Sequence, residues 1–329
     1  MMALGTVVYM GSDPIGLPVL RLLAAKAQAG VLRLAGVISQ PDRPSGRGKK
    51  LQPNAISACA LAHGWTLLRP EKPRAETVAW LRDQHVDLIV VMAYGHILKN
   101  DLLVVPRRAI VNLHASLLPA YRGASPVETA VARGETQTGV SLMRIVQRMD
   151  AGAVCDVARV PVSPSDTGGS VREKLAEASA PLVERNLDAL LAGQTRFVEQ
   201  DEAHASYCRK LTRADGQLDF AQDAVTLAAR IRGLDPWPGC FVALDDGTQL
   251  KARGAQAVEE TTPDAPGTIL GLDGDALAIA TGRGTLRIER LQRPGGKLLP
   301  APEFLRGYSL ETGTVLQSMP MPDLVCREG

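Results

Sequence analysis

The stretch that decides the fold is Val86-Asp87-Leu88-Ile89-Val90-Val91-Met92-Ala93, which is apolar at nearly every position. A strand with apolar residues on both sides is expected in a parallel sheet that helices cover on both faces. Similar strand-like runs, separated by longer amphipathic stretches, are Thr6–Met10, Leu34–Ser39, Ala109–Leu113 and Val140–Val146. Leu17–Ala29 and Ala75–Gln84 show helical spacing instead. The pattern predicts an α/β fold with a largely parallel sheet.

The second half of the chain has a different organisation. A helix is predicted near Ser170–Leu191, where Ser170 and Glu173 have the spacing of a capping box and Gly193 ends the helix. The next stretch, 194–210, has no clear periodicity and is interpreted as a linker. Closely spaced turn signals then predict a small barrel or sandwich. The predicted domains are therefore 1–193 and 211–320, with a tail at 321–329.

Composition narrows the classes of protein to consider. The 329 residues, 45% of them hydrophobic and 22% charged, favour two folded domains. No apolar run approaches the roughly 20 residues that span a membrane, so a cytoplasmic protein without a membrane partner is expected. The five cysteines are scattered, without a C-x-x-C pair, which indicates neither a disulfide framework nor a zinc ribbon. The histidines lack metal-ligand spacing, and no metal is predicted.

Three side chains with complementary chemistry follow predicted strands. Asn112 and His114 lie on the same face at the carboxyl end of one strand, and Asp150 follows another. Ligands bind at such strand ends in open α/β sheets. An amide can hold an oxyanion, an imidazole can take a proton from an ammonium group, and a carboxylate can orient that imidazole. These residues are the predicted catalytic group, and they suit acyl transfer to an amine.

A longer match makes this hypothesis specific. The segment Asn112–Pro126, together with Asp150-Ala151-Gly152, resembles the active-site signature of the 10-formyltetrahydrofolate-dependent formyltransferases. The resemblance extends from about Val7 to Leu310. It implies a Rossmann-like catalytic domain and a smaller C-terminal OB-like β-barrel, with 10-formyltetrahydrofolate as co-substrate and no metal. The residues that it assigns to folate binding are Ser116, Leu117, Leu118, Pro119, Tyr94 and Gly95.

A basic segment narrows the resemblance. The segment Ser39–Leu51 contains four cations and one carboxylate in a Pro/Gly-rich surface loop. Such a loop can be a solvated surface feature, and its charge also suits contacts to phosphates. Its residues resemble the tRNA-contacting insertion loop of the methionyl-tRNA formyltransferase family. The resemblance assigns Arg43, Arg47, Lys49 and Lys50 to tRNA binding and implies initiator methionyl-tRNA as the partner of a monomeric enzyme. The predicted reaction is formylation of the methionyl amino group.

The first predicted strand-to-helix turn departs from the family. It reads Tyr9-Met10-Gly11-Ser12-Asp13-Pro14-Ile15-Gly16, one residue longer than the common form Phe-x-Gly-Thr-Pro, and the aromatic residue after the proline is missing. This turn is not a G-x-G-x-x-G motif, and no G-x-x-x-x-G-K-[ST] occurs in the chain. The sequence therefore gives no support for an enzyme that uses a nicotinamide cofactor or a nucleoside triphosphate.

Two other functions fit parts of the sequence. A formyltransferase acting on a small amine, such as a phosphoribosylglycinamide or an amino sugar, would use the same three side chains without needing the basic segment. A non-catalytic RNA-binding protein could use the C-terminal barrel, and would not need Asn112, His114 and Asp150 together. A formylation assay with methionyl-tRNA and with free amines separates these alternatives.

Overall fold

The computed structural model of the chain describes residues 4–45, 48, 50–260 and 262–326. These residues form two compact units. The first contains the described residues up to Arg122 together with Gly139–Val160 and Arg172–Ala205. The second contains Gly123–Thr138, Pro161–Val171 and the described residues from Ser206 onward. The sequence-based division at 194–210 stays a prediction.

The strands follow one another along the whole chain. In order they are β1 (Gly5–Gly11), β2 (Leu32–Ile38), β3 (Arg43–Ser45), β4 (Lys50–Gln52), β5 (Leu67–Leu68), β6 (Leu88–Met92), β7 (Ala109–His114), β8 (Arg122–Gly123), β9 (Gln137–Arg144), β10 (Val154–Pro161), β11 (Tyr207–Cys208), β12 (Cys240–Ala243), β13 (Gln249–Val258), β14 (Ile269–Asp273), β15 (Ala276–Ala280), β16 (Thr285–Gln292), β17 (Leu299–Pro300) and β18 (Val325–Cys326).

The helices alternate with these strands in the first half and become sparse later. They are α1 (Leu17–Gln28), α2 (Ala55–Ala62), α3 (Ala75–Asp83), α4 (Asn100–Leu103), α5 (Pro126–Ala132), α6 (Gly168–Ala192), α7 (Ala224–Gly233) and α8 (Ala301–Gly307). Short 3-10 helices occur at Pro14–Gly16, Glu202–His204 and Arg213–Gly216. Within the part of the chain that the structure describes, no helix combines the length and apolarity needed to cross a membrane.

A seven-stranded sheet organises the first unit, in the order β10-β9-β7-β6-β1-β2-β5. Strand β1 pairs in parallel with β2 and β6, and β6 pairs in parallel with β7. Strand β9 runs antiparallel to β7. The predicted largely parallel α/β sheet is confirmed, and β1, β6 and β7 end at the same edge.

Burial explains why these strands form. Every residue of β6 is buried, as a strand between two helical layers requires. Val8, Ile89 and Val91 pack with Val78 and Leu81 of α3 in one core. Burying each such side chain contributes roughly 1.5–3 kcal/mol relative to exposure, which holds the sheet against its helices.

The start of α6 differs from the sequence prediction. The Ser170–Glu173 capping box is wrong, because the helix begins at Gly168. The reciprocal pair is instead Thr167 and Ser170: Ser170 N donates to Thr167 Oγ1 at 3.1 Å, and Thr167 N donates to Ser170 Oγ at 2.9 Å. The box therefore lies three residues earlier, because Thr167 supplies the first cap.

An antiparallel sheet organises the second unit, in the order β12-β13-β16-β15-β14 with β17 paired to β16. Its core includes Phe220, Leu227, Ile279 and Leu286. A Cβ at Gly233 would overlap the main chain of Ala132, so glycine permits the close approach of α7 and α5. A separate antiparallel C-terminal domain is thus confirmed.

Candidate active site

The site is built on the end of β7. Asn112 lies between Val91 of β6 and Met143 of β9, and His114 pairs with Ser141 of β9. Since residues two apart in a strand share a face, Asn112 and His114 point to the same side of the sheet. Asn112 is half-buried, and its side chain makes no hydrogen bond to another described residue. Its amide is therefore available to a ligand.

His114 is held between two oxygen atoms. Its Nε2 lies 2.9 Å from the carbonyl oxygen of Tyr121, and its Nδ1 lies 3.6 Å from Oδ2 of Asp150. The histidine is only 5% exposed. A carbonyl oxygen can only accept a hydrogen bond, so Nε2 carries a proton and donates a hydrogen bond to the carbonyl oxygen of Tyr121. In the neutral ring, Nδ1 then presents its lone pair toward the Asp150 carboxylate.

The turn that carries Asp150 follows β9 and has an unusual backbone. Asp150 has φ +49°, in the left-handed region that side chains other than glycine seldom adopt. Arg144 N donates to Ala153 O at 2.9 Å and closes the turn. A Cβ at Gly152 would overlap the carbonyl of Arg144, which requires glycine there. The structure thus brings His114 and Asp150 together, while their catalytic roles stay a prediction.

The segment after β7 folds back on β9. Ser141 Oγ donates to Ser116 O at 2.7 Å and accepts from Leu118 N at 3.1 Å. Ser116 is fully buried, and its hydroxyl donates to Ala120 O at 2.7 Å. Leu117, Leu118 and Pro119 are half-buried. The hydroxyl of Ser116 is therefore committed to its own turn, and the role of this segment in folate binding stays a prediction.

The residues after β6 leave two buried polar atoms without hydrogen-bond partners among the described residues. These atoms are the Tyr94 hydroxyl and Nε2 of His96. Burial raises the pKa of Tyr94 to about 12, so the hydroxyl keeps its proton at neutral pH. Gln40 Nε2 donates to Tyr94 O at 2.8 Å, and a Cβ at Gly95 would lie 2.5 Å from that same nitrogen. The backbone here is fixed, while the hydroxyl can serve a polar ligand.

The longer first turn is stabilised in an uncommon way. The hydroxyl of Tyr9 donates to Gly16 O at 3.1 Å, and a Cβ at either Gly11 or Gly16 would collide with that hydroxyl. Asp13 accepts from Ile15 N at 3.0 Å and pairs with Arg172 at 2.7 Å. The turn therefore closes over a buried tyrosine, for which the two glycines make room.

The basic segment contains structure that the sequence did not predict. Arg43 and Lys50 lie on β3 and β4, which pair antiparallel, and both side chains are exposed. Arg47 and Lys49 lie outside the described residues. Within the segment, Asp42 pairs with Arg69 at 2.7 Å. The pairing of β3 with β4 explains how a Pro/Gly-rich basic stretch keeps a defined backbone on either side of its centre.

Sequence reasoning missed a polar group behind Asp150. Arg122 is completely buried and pairs with Glu202, its Nη2 lying 2.9 Å from Oε1. Gln200 accepts from Arg122 and donates to the carbonyl oxygens of Asp150 and Gly152. Gln200 and Glu202 fall in the stretch interpreted as a linker, and nothing in its composition indicated a role. Arg122 was visible within the active-site segment, where an arginine beside a tight turn is a weak signal.

The second unit carries a polar cleft of about 590 Å³. Arg287, Arg290 and Arg306 line it, together with acidic residues such as Glu303. Arg287 is paired with Asp273 at 3.1 Å. The three arginines lie in the stretch 283–306, which contains six Lys or Arg and two Glu residues, and the cations of the cleft are partly neutralised by neighbours. For the described residues, no group of three or more His, Cys, Asp or Glu side chains is placed to hold a metal ion.

Comparison with known proteins agrees with this geometry. The formyl transferase family model matches residues 15–186, and the model of the formyl transferase C-terminal domain matches residues 210–309. Methionyl-tRNA formyltransferase of Geobacter sulfurreducens is 37% identical over 311 residues, covering 94% of this chain and 96% of the relative. That of Burkholderia thailandensis is 41% identical over 304 residues, covering 88% and 91%.

A solved structure shows the same fold. The N-formyltransferase from Helicobacter canadensis, in complex with folinic acid and dTDP-3-aminofucose, superposes with a TM-score of 0.65. It is 14% identical, and the match covers 89% of this chain and 100% of that chain. The identity is low enough that this likeness concerns the fold alone. The two family models and the two relatives show more than a shared fold. The chain belongs to the methionyl-tRNA formyltransferase family.

Proposed function

We propose that this protein transfers the formyl group of 10-formyltetrahydrofolate to the free amino group of methionyl-tRNA, giving N-formylmethionyl-tRNA and tetrahydrofolate. The observation that carries the proposal is the buried His114 facing Asp150, on the same face of β7 as Asn112, within a chain of this family. The acceptor is initiator methionyl-tRNA, in the bacterial cytoplasm, and the protein acts as a monomer. The names of the relatives support the tRNA substrate.

The reaction needs one nucleophile and one oxyanion stabiliser. The methionyl ammonium loses a proton, and its nitrogen attacks the formyl carbon, so that a new C–N bond forms and negative charge collects on the formyl oxygen. The bond from that carbon to N10 of the folate then breaks. N10 takes one of the two protons that the attacking nitrogen loses, and the other is released. Asn112 donates its amide N–H to the oxyanion, because its side chain has no other partner in the described chain.

His114 moves the proton through Nδ1. Since Nε2 is committed to Tyr121 O at 2.9 Å, Nδ1 is the basic atom of the neutral ring. A lone pair facing a carboxylate is repelled, which agrees with the 3.6 Å separation from Asp150. Once Nδ1 accepts the ammonium proton, the same carboxylate attracts it. Asp150 thus favours the protonated ring, and the proton can then pass to N10.

The folate is bound by the segments that follow β6 and β7. Ser116 fixes the turn through its hydroxyl, and Leu117, Leu118 and Pro119 supply half-buried apolar side chains. Tyr94 adds a buried neutral hydroxyl beside Gly95, and this hydroxyl has no partner among the described residues. An apolar lining with a few placed polar groups suits a flat heterocycle with hydrogen-bonding edges.

Removing the oxyanion donor gives a first test. We expect Asn112→Ala to lower kcat about 100-fold, because one amide donor at an oxyanion contributes roughly 10²–10³ in rate. Single-turnover formylation with saturating folate and methionyl-tRNA measures the effect. Asn54→Ala is not a suitable control because Asn54 caps α2, whereas Asn100→Ala, at the first residue of the short helix α4, changes an asparagine outside the site. A kcat for Asn112→Ala equal to that of Asn100→Ala would remove Asn112 from the mechanism.

The choice of acceptor is tested directly. The protein is mixed with 10-formyltetrahydrofolate and either methionyl-tRNA, free amino sugars or phosphoribosylglycinamide, and the formylated product is detected. The proposal expects product only with methionyl-tRNA. The second candidate is formylation of a small amine, which would use the same Asn112, His114 and Asp150. Faster formylation of a small amine than of methionyl-tRNA would establish that candidate instead.

The basic segment distinguishes the two candidates by charge. We expect Arg43→Ala with Lys50→Ala to raise the KM for methionyl-tRNA at least tenfold and to leave the KM for the folate nearly unchanged. Each phosphate contact contributes about 0.9 to the log–log dependence of affinity on salt, so this dependence should fall by about two units. Adding Arg47→Ala and Lys49→Ala should about double that fall. Titration of tRNA binding at several salt concentrations measures it.

The matched control removes two exposed cations elsewhere in the first unit. Arg21 lies on α1 and Arg82 on α3, and both are exposed. Arg21→Ala with Arg82→Ala changes net charge by the same amount and should leave KM and the salt dependence as in the wild type. If both double variants behave alike, the basic segment is a solvated surface, and the tRNA is held elsewhere, for which the cations of the second unit are the next candidates.

A further inference from the structure

Gln200 satisfies all of its side-chain hydrogen-bonding capacity next to the His114–Asp150 pair. Its Nε2 donates to the carbonyl oxygens of Asp150 at 2.8 Å and Gly152 at 2.7 Å. Its Oε1 accepts from Nε of Arg122 at 3.0 Å and from Nη2 at 2.8 Å. Carbonyls only accept and guanidinium groups only donate, so the amide has one possible orientation. The side chain is a fixed link between Arg122 and the Asp150 turn.

The partners on both sides of this link are themselves held. Arg122 is completely buried, and its guanidinium also contacts both carboxylate oxygens of Glu202, at 3.1 and 2.9 Å. Arg148 lies 2.6 Å from Glu202 on the other side. A buried arginine with two hydrogen-bonded partners has little freedom to move, because each displacement would leave donors unpaired. Arg122 is therefore a rigid anchor.

The turn at residues 150–152, to which Gln200 donates, has a backbone conformation that needs stabilising contacts. Asp150 adopts a left-handed backbone at φ +49°, a conformation that persists only where the surroundings hold it. The only main-chain carbonyls that Gln200 contacts among the described residues are those of Asp150 and Gly152, on either side of Ala151. Releasing them lets the turn relax and swings the Asp150 carboxylate relative to Nδ1 of His114.

Arg122 is also adjacent in the chain to Tyr121, the second residue that contacts the ring of His114. Tyr121, whose carbonyl accepts from His114 Nε2, directly precedes Arg122 in the chain and also has a left-handed backbone, at φ +58°. Arg122 thus joins, through Gln200, the main-chain segments that face the two ring nitrogens of His114. Resting on the function proposed above, we infer that Gln200 is a positioning residue for that reaction, which sets the Asp150 carboxylate against His114 by fixing the 150–152 main chain.

Two substitutions separate this role from simple support of Arg122. Gln200→Glu keeps the size of the side chain and its pairing with Arg122, and it loses both donations to the Asp150 and Gly152 carbonyls. Gln200→Leu loses all four hydrogen bonds without adding charge. The two variants share the loss of the carbonyl contacts. We expect each to lower kcat for methionyl-tRNA formylation at least tenfold, with KM for both substrates within threefold of the wild-type values.

A second readout reports on the proton transfer itself. Because the carboxylate that faces Nδ1 of His114 at 3.6 Å is displaced, the profile of kcat against pH should differ from that of the wild type in both variants. Gln84→Glu is the matched control. The side-chain oxygen of Gln84 accepts a hydrogen bond from Arg33 at 3.3 Å, and a glutamate would keep this pairing. Gln84 lies far from the site in the sequence. The control substitution should change neither kcat nor the pH profile. Thermal unfolding of each variant checks that it folds.

The outcomes are distinguishable from those that test the function. If the wild-type protein does not formylate methionyl-tRNA, the proposed function fails. If the wild type is active and Gln200→Glu retains its kcat and pH profile, Gln200 only supports Arg122 and the positioning inference is overturned. If Gln200→Leu does not fold, the result with Gln200→Glu alone decides, and a Gln200→Glu protein that also fails to fold assigns Gln200 to stability and overturns the inference as well.

Discussion

Replacing His114 by alanine is expected to lower kcat by about three orders of magnitude while the protein stays folded. His114 lies at the carboxyl end of β7, and its ring contacts Tyr121 O and Asp150. Alanine removes the atom that takes the ammonium proton and the group that returns a proton to N10. General acid–base catalysis contributes roughly 10²–10⁴ in rate, and here one residue performs both transfers. Single-turnover formylation at saturating substrate measures the loss directly.

The variant needs a control for the loss of an imidazole as such. His63 follows α2, is exposed and stacks on Trp65 with ring centroids 4.6 Å apart. His63→Ala should leave kcat at the wild-type value. A His114→Ala protein that is folded and turns over within tenfold of His63→Ala would show that another group transfers the proton, and the proposed mechanism would then be discarded.

Asp150→Asn is the second large effect, and we expect kcat to fall by about three orders of magnitude. The substitution preserves the size of the side chain and, since asparagine tolerates the left-handed backbone well, the φ of +49°. It removes the negative charge 3.6 Å from Nδ1. The protonated ring then loses its stabilising partner, and the introduced side-chain amide can itself donate to Nδ1, which would block the basic atom.

The pH dependence of kcat distinguishes loss of the Asp150 charge from a general loss of activity. Because Asp150 favours protonated His114, the profile of the residual kcat against pH should change shape in Asp150→Asn. Asp156→Asn is the control: Asp156 belongs to β10 and is paired with Arg185 at 2.6 Å, away from the histidine. It should leave the profile unchanged. A profile for Asp150→Asn that matches the wild type would mean that the carboxylate does not act on the histidine during turnover.

The sequence predicted the sheet well because burial leaves a strong local signal. Continuous apolar runs such as 88–92 cannot be accommodated on a surface, so their assignment as inner strands follows from composition alone. The approach of Asp150 to His114 was predictable for a related reason, since one residue ends a strand of the sheet and the other follows a neighbouring strand. The strand ends moved by one to three residues; β7, for instance, includes His114 itself, and β9 begins at Gln137 rather than at Val140.

Other features depend on contacts between residues far apart in the chain and leave little local signal. Gln200 reaches back 50 residues to Asp150 and 78 residues to Arg122, and no periodicity records such a contact. The pairing of β3 with β4 was missed because proline and glycine signal a loop more strongly than three-residue strands signal a sheet. The cap of α6 was misplaced because two serine or threonine residues three apart compete for the same role.

The two units differ in when all of their residues become available during synthesis of the chain. The first unit has its full set of residues once Ala205 has been made, although its segments are interrupted twice. The second unit recruits Gly123–Thr138 and Pro161–Val171, which leave the ribosome early and find their partners only after α7 has followed. Until then the buried faces of α5, including Val127 and Val131, have no core to join. A fragment beginning at Ser206 would lack these segments, so the second unit cannot complete its core until the residues that follow Ser206 have joined them.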